Sequence, residues 1–148
     1  MDSTLATTVA ATAENSEEEQ VSKYMLLDRL FKFLDSTGDE PVNPVLAGYF
    51  SKVVQLLINR KQKQIVPYIT ADENKCVEGL LKHVYSRSVA EIVLRLLQIV
   101  ESNFDEDISA KISEKKQFIL TSLIDKLQCE EEDETVMNVK YILQEMME

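Results

Sequence analysis

From Val21 onward, apolar residues recur along this chain in steps of three and four, the spacing that places side chains on one face of a helix. The first helix predicted in this way ends in the segment 36–41, where Gly38 is suited to a C-terminal cap. Residues 1–20 lack the pattern and are small, polar and acidic, so we predict a disordered tail there. The apolar positions of the first helix are Val21, Tyr24, Met25, Leu27, Leu30, Phe31 and Leu34.

A second helix is predicted to begin at Asn43 and Pro44, because Asn is a preferred N-cap and Pro suits the first helical turn. Gly48 inside it costs about 1 kcal/mol relative to Ala, and a closely approaching neighbouring backbone would explain its presence. The helix closes in the basic run 60–63, where a solvated helix end is favoured over an anion-binding site. Its apolar positions cover a wide face: Val45, Leu46, Tyr49, Phe50, Val53, Val54, Leu57 and Ile58.

Capping signals predict the next two helices. After a short turn that contains Pro67, Thr70 and Glu73 have the spacing of a capping box, in which each side chain satisfies a backbone amide of the other. Ser88 and Glu91 have the same spacing. An apolar stripe at helical spacing follows each pair, so each pair predicts the start of a helix.

The remaining third of the chain alternates acidic segments with apolar stripes. The helix after Ser88 is predicted to reach Val100, and the acidic segment 101–107 to form a linker. A helix is predicted over 113–127, followed by a solvated acidic connector at 130–134. The last helix, which begins near residue 133, has no C-terminal cap.

Three of these helices begin near residues 44, 88 and 133, in steps of 44 and 45 residues that fall within the range of HEAT and armadillo repeats. A helix or helix pair precedes each of them. We therefore predict an all-α, HEAT/armadillo-like helical repeat over 21–148, with about three stacked hairpins and seven helices. The uncapped, apolar last helix indicates an unfinished stack, because terminal repeats usually carry a polar outer face.

Composition and charge narrow the possible functions. Three glycines and three prolines in 148 residues are too few to punctuate a many-stranded sheet. The net charge is −10, distributed as −5 over residues 1–20, +3 over 21–100 and −8 over 101–148. Because nucleic acids and anionic membranes attract clustered, unopposed cations, we expect neither to be a partner.

The chain shows no constellation of catalytic or metal-binding residues. His83 is the single histidine, and a cationic or hydrogen-bonded helix terminus explains it better than a catalytic base. Cys76 and Cys129 have no neighbouring ligands of zinc-site spacing and are expected to be buried free thiols. We predict no cofactor and no metal. The absence of a secretory signal and of a long apolar run predicts a cytoplasmic location, with the nucleus left open.

Two blocks carry a more specific signal. They are LLDRLFKFLD at residues 26–35 and NPVLAGYFSKVV at 43–54. Helix physics alone does not require Asn-Pro, Gly, Tyr-Phe and Ser-Lys at these offsets. The chain resembles, over about residues 24–146, the SAPS-domain family, which comprises the regulatory subunits of protein phosphatase 6 and their fungal counterparts.

The resemblance implies a non-catalytic scaffold that binds a type 2A-like phosphatase 6 catalytic subunit and directs it to substrates. Metal-dependent hydrolysis would then belong to the partner. The family's domain is several times longer, with further helices before the first block and after the third hairpin. We therefore expect this chain to be a fragment or a naturally reduced form.

The helices that begin near 44, 88 and 133 form one row, and one row of a helical solenoid lines the concave surface where partners dock. Polar residues that match the family in this row, together with one aromatic, are the candidate partner-binding residues: Tyr49, Ser51, Lys52, Arg95 and Asn138. For Tyr49, core packing is the favoured interpretation. Asn138 is expected to bond backbone groups between repeats.

Two other functions stay open at this point. Exposed repeat ends would also drive self-association into a structural or adaptor module that does not bind a phosphatase, in which case oligomeric state depends on concentration. A small hydrolase is a remote alternative, because no nucleophile and base stand in a recognisable arrangement.

Overall fold

The structure, a computed structural model, describes residues 24–35, 41–128 and 133–147. Within these ranges the regular structure consists of seven α-helices and short 3₁₀ turns, without a β-strand. The predicted all-α helical repeat is confirmed. The predicted tail 1–20, the cap at Gly38 and the thiol of Cys129 lie outside the described residues.

The chain divides into two compact units, Met1–Phe33 and Leu34–Glu148. The first contains helix α1 over 24–31, and the 3₁₀ turn Lys32–Leu34 follows it. The second contains the other six helices of the described residues: α2 (Pro44–Arg60), α3 (Gln62–Thr70), α4 (Cys76–Lys82), α5 (Arg87–Leu97), α6 (Glu106–Leu127) and α7 (Glu134–Met147).

Helix α5 is the centre of the second unit, where it packs against α2, α4, α6 and α7. Most of its length is apolar and buried: Val89, Ala90, Ile92, Val93, Leu94, Leu96 and Leu97. A helix that is apolar on most of its circumference is expected in a position surrounded by other helices. Each fully buried aliphatic side chain there stabilises the fold by about 1.5–3 kcal/mol.

The three repeat-starting helices begin at Pro44, Arg87 and Glu134, within one residue of the predicted positions. Asn43 caps α2 as expected, because its side-chain oxygen accepts hydrogen bonds from the backbone amides of the first turn at 2.9 and 3.2 Å. Asp133 caps α7 in the same way, accepting from the Val136 amide at 3.0 Å. These local signals were sufficient to place the two starts.

The predicted turn at Pro67 is wrong, because this residue lies inside α3. Burial of the residues around it offsets the helical hydrogen bond that proline cannot donate. Thr70 is the last residue of α3 and donates its hydroxyl to the Val66 carbonyl at 2.9 Å, so no capping box with Glu73 forms. The side chain of Asn74 instead closes α3 by donating to a backbone carbonyl.

The second predicted capping box is also wrong. The N-cap of α5 is Ser86, in extended conformation, so Ser88 and Glu91 lie inside the helix. The acidic segment predicted as a linker begins α6 seven residues earlier than expected. There Asp105 accepts from the Ile108 amide at 2.9 Å, and the acids that follow it lie at the positive end of the helix dipole.

No helix in the described ranges has the length and apolar character that crossing a bilayer requires. No group of three or more His, Cys, Asp or Glu side chains in the same ranges is placed to hold a metal ion. Cys76 is buried, as predicted.

The glycines inside α2 and α4 have different surroundings. A Cβ atom built at Gly48 would meet one neighbouring atom within 4 Å, the Ser88 hydroxyl at 4.0 Å. The expectation of a closely approaching backbone at Gly48 is therefore wrong. A Cβ atom at Gly79 would lie 3.3 Å from Cδ1 and 3.5 Å from Cβ of the buried Leu34. Close packing accounts for Gly79 and leaves Gly48 without a steric reason.

Gly48→Ala is expected to raise the free energy of unfolding by up to about 1 kcal/mol, because Ala lowers the backbone entropy lost on helix formation. Gly79→Ala, the matched control, is expected to give a smaller gain or a loss, because Leu34 must shift. Urea unfolding followed by circular dichroism measures both. Equal gains in the two variants would contradict the close packing described for Gly79.

An ionic cluster joins the turn Asp72–Asn74 to α6. Lys111 and Lys115 each place Nζ 2.7 Å from a carboxylate oxygen of Asp72. The hydrogen bonds from Lys111 and then from Lys115 lower the pKa of Asp72 from 3.8 to about 2. The ionised carboxylate is therefore favoured by the folded state.

Asp72→Asn tests this cluster through its pH dependence. Because the pKa of Asp72 is lower in the folded chain than in the unfolded chain, the stabilisation is present above pH ~4 and is lost as the pH falls through about 2. We expect the thermal midpoints of wild type and variant to differ slightly at neutral pH and to converge in acid. Asp125→Asn, an exposed change on α6, is the control. A wild-type advantage that persists at pH ~2 would contradict the cluster.

Candidate partner-binding surface

One side of α2 carries an apolar stripe that is exposed in the structure. Val45, Tyr49, Val53 and Leu56 recur at i, i+4, i+8 and i+11, and Leu46 lies beside them. Tyr49 is 62% exposed and Leu56 51%. At 1.5 Å of rise per residue the stripe extends over about 17 Å. We call these five residues the α2 stripe.

The other side of α2 belongs to the core, where it packs chiefly against α5. Its buried residues include Ala47, Phe50, Val54 and Ile58. Helix α2 is therefore apolar on two sides, whereas a surface helix of a globular protein normally has one apolar stripe. A contiguous exposed apolar stripe is typical of a protein-binding surface.

Two of the five predicted partner-binding residues lie on this exposed side. Tyr49 is at the middle of the α2 stripe, so the interpretation that it packs in the core is wrong. Lys52 is exposed and lies beside it, three residues after Tyr49 and four before Leu56. An aromatic anchor next to a cation suits a protein partner with an apolar pocket and an acidic rim.

Two others are engaged within the helical packing. Ser51 is 3% exposed and accepts a hydrogen bond from Nε2 of Gln55 at 2.7 Å, on the side of α2 that faces the core. The guanidinium group of Arg95 donates to the side-chain oxygen of Asn59 and so joins α5 to α2. Ser51 and Arg95 are therefore engaged in hydrogen bonds within the chain.

The fifth residue, Asn138 on α7, is 7% exposed. Its side-chain nitrogen donates to the backbone carbonyls of Val84 at 3.0 Å and Tyr85 at 2.8 Å. This confirms the expectation that Asn138 bonds backbone groups between repeats. Arg87 adds a second link between α5 and α7, with its guanidinium carbon 3.7 Å from the centroid of the Tyr141 ring.

His83 lies in the same turn between α4 and α5 and is 2% exposed. Its Nε2 is 2.7 Å from the Leu34 carbonyl, which can only accept, so Nε2 carries the proton. In the neutral ring, Nδ1 accepts from the Tyr85 hydroxyl at 2.9 Å. That hydroxyl in turn accepts from the Val42 amide at 2.9 Å. The expectation of a hydrogen-bonded histidine at a helix end is confirmed.

Sequence reasoning missed four of the five residues of the α2 stripe: Val45, Leu46, Val53 and Leu56. Val45, Leu46 and Val53 were counted within one wide apolar face of the second helix, and Leu56 was not counted among its apolar positions. The width of the apolar arc was the signal that could have identified them. A helix that buries a single stripe needs a much narrower apolar arc, so the excess width indicates a second apolar side.

The SAPS family model, described as SIT4 phosphatase-associated protein, matches residues 54–148, which is more than half of the chain. The chain belongs to the SAPS family. The resemblance seen in the sequence is thereby confirmed.

SAPS proteins from several organisms are similar to this chain. Serine/threonine-protein phosphatase 6 regulatory subunit 1 of Homo sapiens is 39% identical over 103 residues, which is 69% of this chain. Regulatory subunit 3-B of Xenopus laevis is 32% identical over 123 residues, or 82% of this chain. A fungal relative, extragenic suppressor of kinetochore protein 1 of Schizosaccharomyces pombe, is 31% identical over 86 residues, or 58% of this chain.

The chain spans a small part of these SAPS relatives, 11% of the human protein, 14% of the frog protein and 10% of the yeast protein. No solved structure matches it significantly. The match to the frog protein is longer than the segment that the family model covers, so it includes residues before Val54.

Asn138→Ala tests whether this residue supports the packing. The change removes the Asn138 donor from the buried carbonyl of Val84 and the partly buried carbonyl of Tyr85, so we expect the free energy of unfolding to fall by about 2 kcal/mol. Gln144→Ala, at an exposed position of α7, is the control and should change it by less than ~0.5 kcal/mol. Urea unfolding measures both. Unchanged stability of Asn138→Ala would show that its hydrogen bonds do not hold α7 in place.

Proposed function

We propose that this chain is a non-catalytic regulatory segment that binds the catalytic subunit of a protein phosphatase 6-type Ser/Thr phosphatase and helps direct it to substrates. Membership of the SAPS family supports this, because the SAPS relatives are named as regulatory subunits of that phosphatase. Hydrolysis belongs to the partner in this proposal. This chain contributes a surface that holds it.

The exposed α2 stripe is the observation that carries the proposal. Tyr side chains at the centre of a protein interface often act as anchors, because they bury a large apolar area and lose few rotational degrees of freedom. Lys52 beside the stripe would favour a partner whose rim is acidic. The core side of α2 is held by α5, so the stripe is formed before a partner arrives.

The order and spacing of the helices support a HEAT/armadillo-like arrangement. Helices α2, α5 and α7 begin at Pro44, Arg87 and Glu134, which gives steps of 43 and 47 residues. In such an arrangement one row of helices presents a continuous surface to a partner. We assign the exposed side of α2 to that surface.

Tyr49→Ala combined with Leu56→Ala is expected to weaken binding of a purified phosphatase 6-type catalytic subunit at least about tenfold, because the aromatic anchor and a second apolar side chain of the α2 stripe are truncated. Biolayer interferometry with the full chain measures the affinity. Both side chains are exposed, so helicity by circular dichroism should not change.

Phe118→Ala combined with Ile124→Ala is the matched control, because it removes one exposed aromatic and one exposed aliphatic side chain from α6. This variant should bind as wild type does. Equal weakening by both pairs, or no binding by the wild-type chain, would contradict the proposal.

Self-association through the α2 stripe is the competing structural function. Sedimentation velocity over a range of concentrations separates the two. A stable monomer that binds the catalytic subunit supports the proposal. A dimer that dissociates in the Tyr49→Ala and Leu56→Ala double variant, without catalytic-subunit binding, would replace it.

A further inference from the structure

The corner between α2 and α3 forms an open cleft of about 490 Å³. Residues 59–64 and Asn103 line it. Arg60, Lys61 and Lys63 are cationic, the other lining residues carry amide side chains, and the lining contains no acidic residue. In a chain of net charge −10 this is a local concentration of positive charge with no acid among the lining residues. We call it the α2–α3 cleft.

The cations of the α2–α3 cleft are not paired within the part of the chain that the structure describes. Arg60, Lys61 and Lys63 form no salt bridge there, and all three are exposed. Three lysines of α6 differ in this respect. Lys111 and Lys115 bind Asp72, and Lys116 binds Glu101. The cleft therefore has charge available for an external anion.

Helix stability does not explain this basic run. A solvated C-terminus accounts for Arg60, because cations are favourable at the negative end of a helix. However, α3 begins at Gln62, directly after Lys61. Lys61 is both the C-cap of α2 and the residue before α3, whereas Lys63 lies in the first turn of α3, where a cation is unfavourable. No side chain caps that end of α3. An acidic ligand would reduce the repulsion between the cations and the positive end of α3. It would also accept hydrogen bonds from the uncapped backbone amides there.

The neutral side chains of the cleft are suited to the same kind of ligand. The side-chain oxygen of Asn59 already accepts from Arg95, which leaves its NH₂ group as the part that can donate outward. Gln62, Gln64 and Asn103 offer further amide donors at the cleft. Hydrogen bonds from amides and cations to carboxylate or phosphate oxygens are the stronger, charge-assisted kind.

We propose that the α2–α3 cleft binds an acidic peptide segment, carboxylate-rich or phosphorylated, of a protein that the phosphatase acts on. Its biological setting rests on the proposed function, whereas the binding itself is measured without the catalytic subunit. The concave shape of the cleft fits an extended peptide better than it fits a flat membrane surface. The overall negative charge of the chain opposes a long nucleic acid, which would need a broader basic surface.

Fluorescence anisotropy tests the proposal with the full chain and a short labelled peptide of Glu and Asp around one phosphoserine. We expect saturable binding that weakens as salt is raised, because the contacts are exposed charge pairs. Arg60→Gln, Lys61→Gln and Lys63→Gln combined should weaken it about tenfold. The single change Arg60→Gln should give a smaller loss of peptide affinity. It replaces the triple variant in the test if that variant folds poorly.

Lys75→Gln, Lys82→Gln and Lys126→Gln combined remove the same number of charges away from the cleft and form the matched control. Retained binding in this control, with loss in the cleft variant, supports the proposal. Equal loss in both variants would show that net charge alone attracts the peptide and would overturn it. Tighter binding of an RNA oligonucleotide or of phosphatidylserine vesicles at the same residues would also overturn it.

Competitors identify the chemistry that the cleft recognises. The same peptide with unmodified serine should compete, more weakly than the phosphorylated form. Competition by inorganic phosphate alone at equal concentration would overturn a peptide site. Capture of the catalytic subunit should be unchanged in the cleft variant, and loss of that capture would assign the cleft to the catalytic-subunit interface instead. If the wild-type chain does not capture the catalytic subunit but does bind the acidic peptide, the proposed function is contradicted. The proposal that the α2–α3 cleft binds an acidic peptide is then still supported.

Discussion

Burial of α5 on several sides is the interaction on which the rest of the second unit depends. An isolated helix of eleven residues would be marginal in water, so α5 exists because α2, α4, α6 and α7 cover it. The same contacts fix α2 from its core side. The exposed side of α2 is therefore presented on a rigid support, and a partner that binds there does not have to order the helix first.

Apolar burial is non-directional, so it does not by itself decide how the helices are oriented around α5. The turn between α4 and α5 supplies direction through buried polar groups. His83 bonds the Leu34 carbonyl, the Tyr85 hydroxyl accepts from the Val42 amide, and Asn138 on α7 donates to the carbonyls of Val84 and Tyr85. Each of these hydrogen bonds requires its donor and acceptor in one relative position. A shift of α7 would therefore leave the carbonyls that Asn138 contacts unsatisfied.

Local signals in the sequence predicted what depends on local chemistry, namely the helical periodicity, the cap at Asn43 and the start of the last helix near residue 133. They failed where distant packing decides. Pro67 stays inside α3 because its neighbours are buried, and the acids after Asp105 begin a helix instead of a linker. The exposure of Tyr49 was not predictable from periodicity, because α5 determines which part of the wide apolar arc of α2 is covered.

The two proposed binding surfaces are continuous along α2. Arg60 lies four residues after Leu56 and eleven after Tyr49, so the same side of the helix changes from apolar to cationic at the α2–α3 cleft. A catalytic subunit held on the α2 stripe and an acidic substrate segment held in the cleft would then be neighbours. Binding of the segment would raise the local concentration of substrate beside the enzyme without any change in the catalytic residues. In these two proposals one helix would link two tasks, because its middle would hold the enzyme and its end would hold the substrate segment.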